Sequence, residues 1–177
     1  MNKLLQQLEE FNSQMQRVNA QFALIGEMAL SAHQVPRATL DIDFLLAKSD
    51  AELAHRILLS LGYRCIHRSD NAANYLRGAQ AVDFIYAFRP RALALLTQAK
   101  PCELGSQFVR VVSVEGLIGL KLQAVSNDPS RKQDLLDIEK LFAKHRSTIN
   151  HAELKDYFQL FQKDDLYAEL LNEFPPS

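Results

Sequence analysis

The segment ALIGEMALSAHQVPRATLDIDFLL, Ala23 to Leu46, decides how the rest of the chain is read. An apolar run closes on Gly26, a helix-like stretch over 27–34 follows, and Pro36-Arg37 leads into a strand over 39–46. Side chains alternate along a strand, so Asp41 and Asp43 share one face, with Cα atoms roughly 6.5–7 Å apart. Ile42, Phe44 and Leu46 take the other face. Two carboxylates on one strand face repel each other unless something positive lies between them. A divalent cation would serve, as would a lysine or arginine. The plainer alternative is a strand end whose acids face solvent or pair with Arg37 or Arg89.

Working outward, a third acid stands in a similar setting. QAVDFIYA, 80–87, places Asp83 inside a Val/Phe/Ile/Tyr strand. Hard cations such as Mg²⁺ take one or two carboxylates together with waters and substrate phosphates. Three acids on two apolar strands therefore suit a metal-assisted phosphoryl- or nucleotidyl-transfer site. Gly26 adds a separate clue, since a glycine at a strand-to-helix turn lets a phosphate approach the backbone. Many such turns carry a glycine for geometry alone.

The periodicity of the remainder predicts a first amphipathic helix over 3–18, carrying Leu4, Leu5, Leu8, Phe11, Met15 and Val18. It predicts a short strand over 21–26, a helix over 50–61 ended by Gly62, strands over 63–68, 73–78 and 80–86, a helix over 89–99 and a strand over 107–112. RGAQ, 77–80, is the turn between two of these strands. From Val114 the period is helical: 113–126, 130–145, 151–161 and 163–173, with SNDPS as the break between the first two. The fold class is α+β, a mixed twisted sheet with flanking helices followed by a helical part. The expected division is 1–112 for the α/β core and 113–177 for the helices.

Net charge is −1, with 20 basic and 21 acidic residues, which argues against a general nucleic-acid coat and leaves room for a small local basic patch. Cys65 and Cys102 are far apart and lack zinc-ligand spacing, so two buried thiols in a reducing compartment are expected. No signal-peptide pattern opens the chain and no apolar run reaches the ~18 residues of a membrane span. The expectation is a cytoplasmic protein without membrane contact. His55, His67, His145 and His151 show no metal spacing and read as surface residues, and His33 reads as a local structural contact. Tyr157, Phe158, Phe161 and Tyr167 read as helix packing.

Gly26-Glu27, Asp41-Ile42-Asp43 and Asp83 together resemble the nucleotidyltransferase superfamily with the polymerase-beta-like fold. With Ala29, His33, Pro36, Arg37 and Thr39 the segment looks most like a small bacterial branch that includes AbiEii-type toxins. Lys121, followed by Arg131, Lys132, Asp134 and Asp137 in SRKQDLLDIEKLF, extends the resemblance to roughly residues 20–142. The resemblance implies that Asp41, Asp43 and Asp83 bind Mg²⁺ or Mn²⁺, with Asp83 also helping to activate the attacking hydroxyl. It implies that Gly26 contacts the phosphates of an NTP and that Lys121 neutralises their charge. Asp134, with Asp137, would orient Lys121 or the acceptor. The implied partners are the nucleotide, an RNA or protein acceptor hydroxyl, and for a toxin a cognate antitoxin. From the residues alone, Lys121 also reads as a lysine snorkelling to solvent, and Asp134 and Asp137 as acids favouring a helix start.

Glu27 departs from the family pattern, which has a small residue there. A carboxylate beside a phosphate, at about 4 Å and an effective dielectric near 20, repels it by about 4 kcal/mol. Three placements follow for Glu27: turned away, a further cation ligand, or filling the anion position. The last gives a different kind of protein, a non-catalytic module that binds a nucleotide or a protein.

Overall fold

The computed structural model describes residues 3–175. The chain divides into two units: residues up to Ala32 together with Pro36–Val112, and His33–Val35 together with the chain from Ser113 onward.

In the first unit, α1 (Lys3–Arg17) precedes β1 (Phe22–Ile25), α2 (Gly26–Ala32) and β2 (Asp41–Ala47). Then come α3 (Ala51–Ser60), β3 (Arg64–Arg68), β4 (Ala72–Arg77), β5 (Gln80–Ala87), α4 (Pro90–Gln98), β6 (Lys100–Leu104) and β7 (Gln107–Val111). The seven strands form one sheet in the order β3-β4-β5-β2-β1-β7-β6. It is mixed: β2 runs parallel to β5 and β1 parallel to β7, and the other neighbours are antiparallel.

Alternation decides which side chains share each face of this sheet. Phe22 and Leu24 of β1, Ile42 and Phe44 of β2, and Val82 and Phe84 of β5 are all buried on one face. Phe11 of α1 packs into that face, its ring centroid 5.0 Å from Phe44 and 5.7 Å from Phe84. Aromatic pairs at such spacing add about 0.5–1.5 kcal/mol each beyond their burial. Two buried amides tie α1 down: Gln7 donates to the Ala81 carbonyl at 3.0 Å, and Asn12 donates to the Phe108 carbonyl at 3.1 Å. With these side chains on one face, the acids of β2 and β5 fall on the other, beside Ala23, Ile25 and Leu45, which are buried as well.

The strand β6 has no counterpart in the sequence reading. Its residues KPCEL show no apolar alternation, because it is an edge strand whose side chains are exposed or half-exposed. Proline is tolerated there because an edge strand need not donate every ladder hydrogen bond. The thiols also differ from expectation. Cys65 and Cys102 are unpaired and half-exposed, on β3 and β6, the two outermost strands.

The second unit holds α5 (Val114–Asn127), α6 (Lys132–His145), α7 (His151–Leu160) and α8 (Asp164–Glu173). The Ser113 hydroxyl caps α5 by accepting from the Gly116 N–H, and the Asn150 side chain caps α7 by accepting from Glu153. Phe158 and Tyr167 pack with ring centroids 5.0 Å apart between α7 and α8, as helix packing requires. Three histidines are half-buried with partners rather than surface residues. His55, in the first unit, bonds the Tyr75 hydroxyl at 2.9 Å; His145 meets the His33 carbonyl at 2.8 Å; His151 meets the Tyr167 hydroxyl at 3.1 Å.

Gly119 marks the closest approach of α5 to α7. A Cβ there would lie 2.6 Å from two Tyr157 ring carbons. Both elements are packed helices, so the ring has little room to yield. Gly119→Ala is expected to cost about 1–3 kcal/mol by overpacking, read as a lowered midpoint in thermal melts.

Candidate active site

The site in the first unit is built by strand register. Asp43 stands opposite Ile25 of β1 on one side and Asp83 of β5 on the other. Asp83 in turn stands opposite Asn74 of β4, and Asn74 opposite His67 of β3. Register partners on adjacent strands project to the same face, so Asp43, Asp83, Asn74 and His67 form one lateral row across four strands. Asp41, two residues before Asp43, opens β2 on that face; its N–H donates to the Thr39 hydroxyl at 3.1 Å. The row shares its face with buried Ala23, Ile25 and Leu45, so the acids stand at the margin of a packed surface.

Gly26 follows β1 directly and adopts φ +65°, a left-handed conformation that costs other residues about 1–2 kcal/mol. A Cβ at this position would fall 2.2 Å from Asp43 Oδ2. The missing side chain therefore makes room for the Asp43 carboxylate itself.

Glu27 is not turned away from the acids. Its Oε1 lies 2.9 Å from Arg37 Nη1, and its carboxyl hydrogen-bonds that of Asp43. The effect on Asp43 is large. Its carboxyl is pushed up to about 7, first by burial, then by the charges of Glu27, Asp83 and Asp41, then by the hydrogen bond with Glu27. The charges that dominate its shift are those of acids. Asp83 is also raised, chiefly by burial and then by the charge of Asp41, against an opposing hydrogen bond from Asn74. That bond, Asn74 Nδ2 donating to Asp83 Oδ1 at 2.9 Å, involves a residue the motif reading did not single out. The turn at 77–80 held the signal. A two-residue turn pairs Arg77 with Gln80, and counting three residues back along β4 and forward along β5 pairs Asn74 with Asp83.

Among the described residues, no group of three or more His, Cys, Asp or Glu side chains is arranged to hold a metal ion. The donor set is open and made of hard oxygens. That is what Mg²⁺ accepts, since it keeps waters and completes its shell with substrate phosphates. A cation beside Asp43 would also relieve the repulsion that raises its pKa.

In the second unit, Lys121 of α5 and Asp134 and Asp137 of α6 meet. Lys121 Nζ donates to Asp134 Oδ1 and to Asp137 Oδ2, each at 2.8 Å. Lys121 is 7% exposed, Asp134 6% and Asp137 1%, so the lysine does not snorkel to solvent. Arg131 also donates to Asp134, and the Gln133 amide donates to Asp137 Oδ1 at 3.1 Å. Burial alone would raise Asp134; the hydrogen bonds and charges of Lys121 and Arg131 outweigh it and hold Asp134 below the usual carboxylate range. A groove of about 360 Å³ in this unit, lined by Ser126, Leu160, Phe161, Gln162 and Lys163, includes none of the predicted site residues.

No family model matches the chain, and no curated protein matches it by sequence. Solved structures do. A crystal structure of ANT(2")-Ia in complex with adenylyl-2"-tobramycin superposes with a TM-score of 0.70 at 15% identity, covering 93% of this chain and 99% of that one. The lincosamide antibiotic adenylyltransferase LnuA, lincomycin-bound, gives 0.56 at 12% identity, covering 81% and 98%. An antigenic nucleotidyltransferase-like protein from Paracoccidioides brasiliensis gives 0.56 at 19% identity, covering 99% and 94%. Among the described residues, no helix is long and apolar enough to cross a membrane. At these identities the likeness concerns the backbone: the chain has the nucleotidyltransferase fold.

Proposed function

We propose that the chain transfers a nucleoside monophosphate from an NTP to an acceptor hydroxyl. The observation that carries this is the register pairing of Asp43 with Asp83 on adjacent strands, on the face opposite Phe44 and Phe84. Asp41, Asp43 and Asp83 would hold Mg²⁺ or Mn²⁺, which would neutralise phosphate charge and polarise the α-phosphoryl group. The acceptor oxygen forms its bond to the α-phosphorus, the bond to the bridging oxygen breaks, and pyrophosphate leaves. Asp83 takes the hydroxyl proton; a carboxylate raised by burial is a better base than one in water. Gly26 leaves room for the Asp43 carboxylate, and the resemblance assigns its turn to the phosphates. The resemblance assigns Lys121, held by Asp134, to neutralising phosphate charge.

For the acceptor we take an RNA or protein hydroxyl, as in the AbiEii-like toxins that Ala23–Leu46 resembles, with an antitoxin as the further partner. The similar solved structures carry adenylyl-2"-tobramycin and lincomycin, and we take antibiotics as the competing acceptor class. Each labelled NTP with Mg²⁺ should be offered RNA, whole-cell lysate, tobramycin and lincomycin in turn. Label moving to one acceptor with the native chain and not with Asp43→Ala is the expected result. No transfer from any NTP to any acceptor defeats the proposal.

Glu27 favours a second reading, because it hydrogen-bonds Asp43 and pairs with Arg37. Here the fold binds a nucleotide or a protein and turns nothing over. Calorimetric titration with Mg-NTP separates the two, since binding without transfer is the module's signature. On this reading Glu27→Ser gains transfer activity. On the enzymatic reading its activity stays within about tenfold of the native chain, a change of 1.4 kcal/mol.

A further inference from the structure

We propose that Asn74 is a positioning residue: it fixes the Asp83 carboxylate so that one oxygen is spent on the protein and the other is presented to the reaction. The inference rests on the metal-assisted transfer proposed above. Rotation of an aspartate carboxylate about its last bond is broad and roughly two-fold, so burial in a strand does not by itself aim its oxygens. Asn74 supplies the aim. Its Nδ2 donates to Asp83 Oδ1 at 2.9 Å, which leaves Oδ2 for a cation or for the acceptor proton.

Asn74 is itself well held. It lies on β4, between β3 and β5, and is paired with His67 on one side and Asp83 on the other. The amide is half-buried, so water competes poorly for its donor.

The residue type matters as much as the place. A lysine or arginine here would neutralise Asp83 and compete with the cation. An aspartate would add one more like charge to a group already acted on by Asp41. A hydroxyl is shorter and would fall short of the neighbouring strand's carboxylate. An amide orients the carboxylate and adds no charge. Partners of this kind, which hold a metal-binding group from behind, typically change affinity or activity 10–100-fold when removed.

The test is titration of the full chain with Mn²⁺ in the presence of α,β-methylene-ATP, following free Mn²⁺ by its electron paramagnetic resonance signal. Asn74→Ala is expected to weaken Mn²⁺ binding about 10–100-fold. Asn74→Gln, which keeps the donor, recovers most of that loss. Asp83→Asn gives a loss at least as large as Asn74→Ala. Circular dichroism melts of each variant confirm that it is folded, and the difference between Ala and Gln reports the donor rather than the packing. Native-like Mn²⁺ binding by Asn74→Ala, or equal losses for Ala and Gln, overturns the assignment while leaving the metal site standing. Failure of the native chain itself to bind Mn²⁺ overturns the metal reading and the assignment with it.

Discussion

At pH 8, Asp43→Asn is expected to melt at a higher temperature than the native chain and to transfer no nucleotide. The stability half follows from the raised pKa. In the unfolded chain Asp43 ionises near its ordinary value of 3.8, and in the folded chain near 7. Between those values the folded state binds more protons than the unfolded state, so stability falls as pH rises through the window. The full shift corresponds to on the order of 4 kcal/mol, trimmed to roughly 2–4 kcal/mol by screening through the open side of the sheet. All of it is lost above pH 7. An amide keeps the shape, cannot ionise, and can donate to Glu27. The advantage of Asp43→Asn therefore disappears below about pH 4, which a melting series across pH reads directly. Added Mg²⁺ should stabilise the native chain, by the linkage of ligand binding to folding, and do little for the variant. The activity half follows from losing a charged ligand at the centre of the acidic row, a loss on the order of 10³-fold or more.

Lys121→Met is expected to destabilise the helical unit by about 3–5 kcal/mol, seen as a lower urea midpoint. The ammonium lies between two buried carboxylates, 2.8 Å from each. Removing it leaves Asp134 and Asp137, one turn apart on α6, facing each other across the place it filled. Arg131 still reaches Asp134 and the Gln133 amide still reaches Asp137, but neither lies between them. A buried ion cluster is harmful to break and often neutral to replace whole. Lys121→Met combined with Asp134→Leu and Asp137→Leu should thus recover most of the lost stability. If Lys121 also serves the phosphates, the recovered triple variant remains inactive. If its work is structural, the triple variant regains transfer.

Much of this arrangement was legible in the residues because the chemistry runs against the local pattern. An aspartate between Ile42 and Phe44 on both sides, or inside Val82-Asp83-Phe84, is conspicuous in a way that a polar residue in a loop is not. The apolar periodicity located the helices and most strands for the same reason, since burial dictates it. The edge strand β6 escaped because its side chains are exposed or half-exposed and burial imposes little pattern on five residues. Asn74 escaped because a single asparagine in AANYLR looks like any exposed strand residue until the hairpin register is counted. The Glu27–Asp43 contact depends on the turn of one glycine and on where a carboxylate comes to rest. Its repulsive partner, a phosphate, could be anticipated; its actual neighbours could not.

The two ends of the sheet carry their own consequence. An outer strand with free backbone groups invites the same strand of another copy to continue the ladder. Here β6 opens with Lys100-Pro101, and β3 has an irregularity between Cys65 and His67 and is bounded by Arg64 and Arg68. Proline, like charge and a broken register each interrupt such growth, so an open seven-stranded sheet can be concentrated without becoming the seed of a fibre.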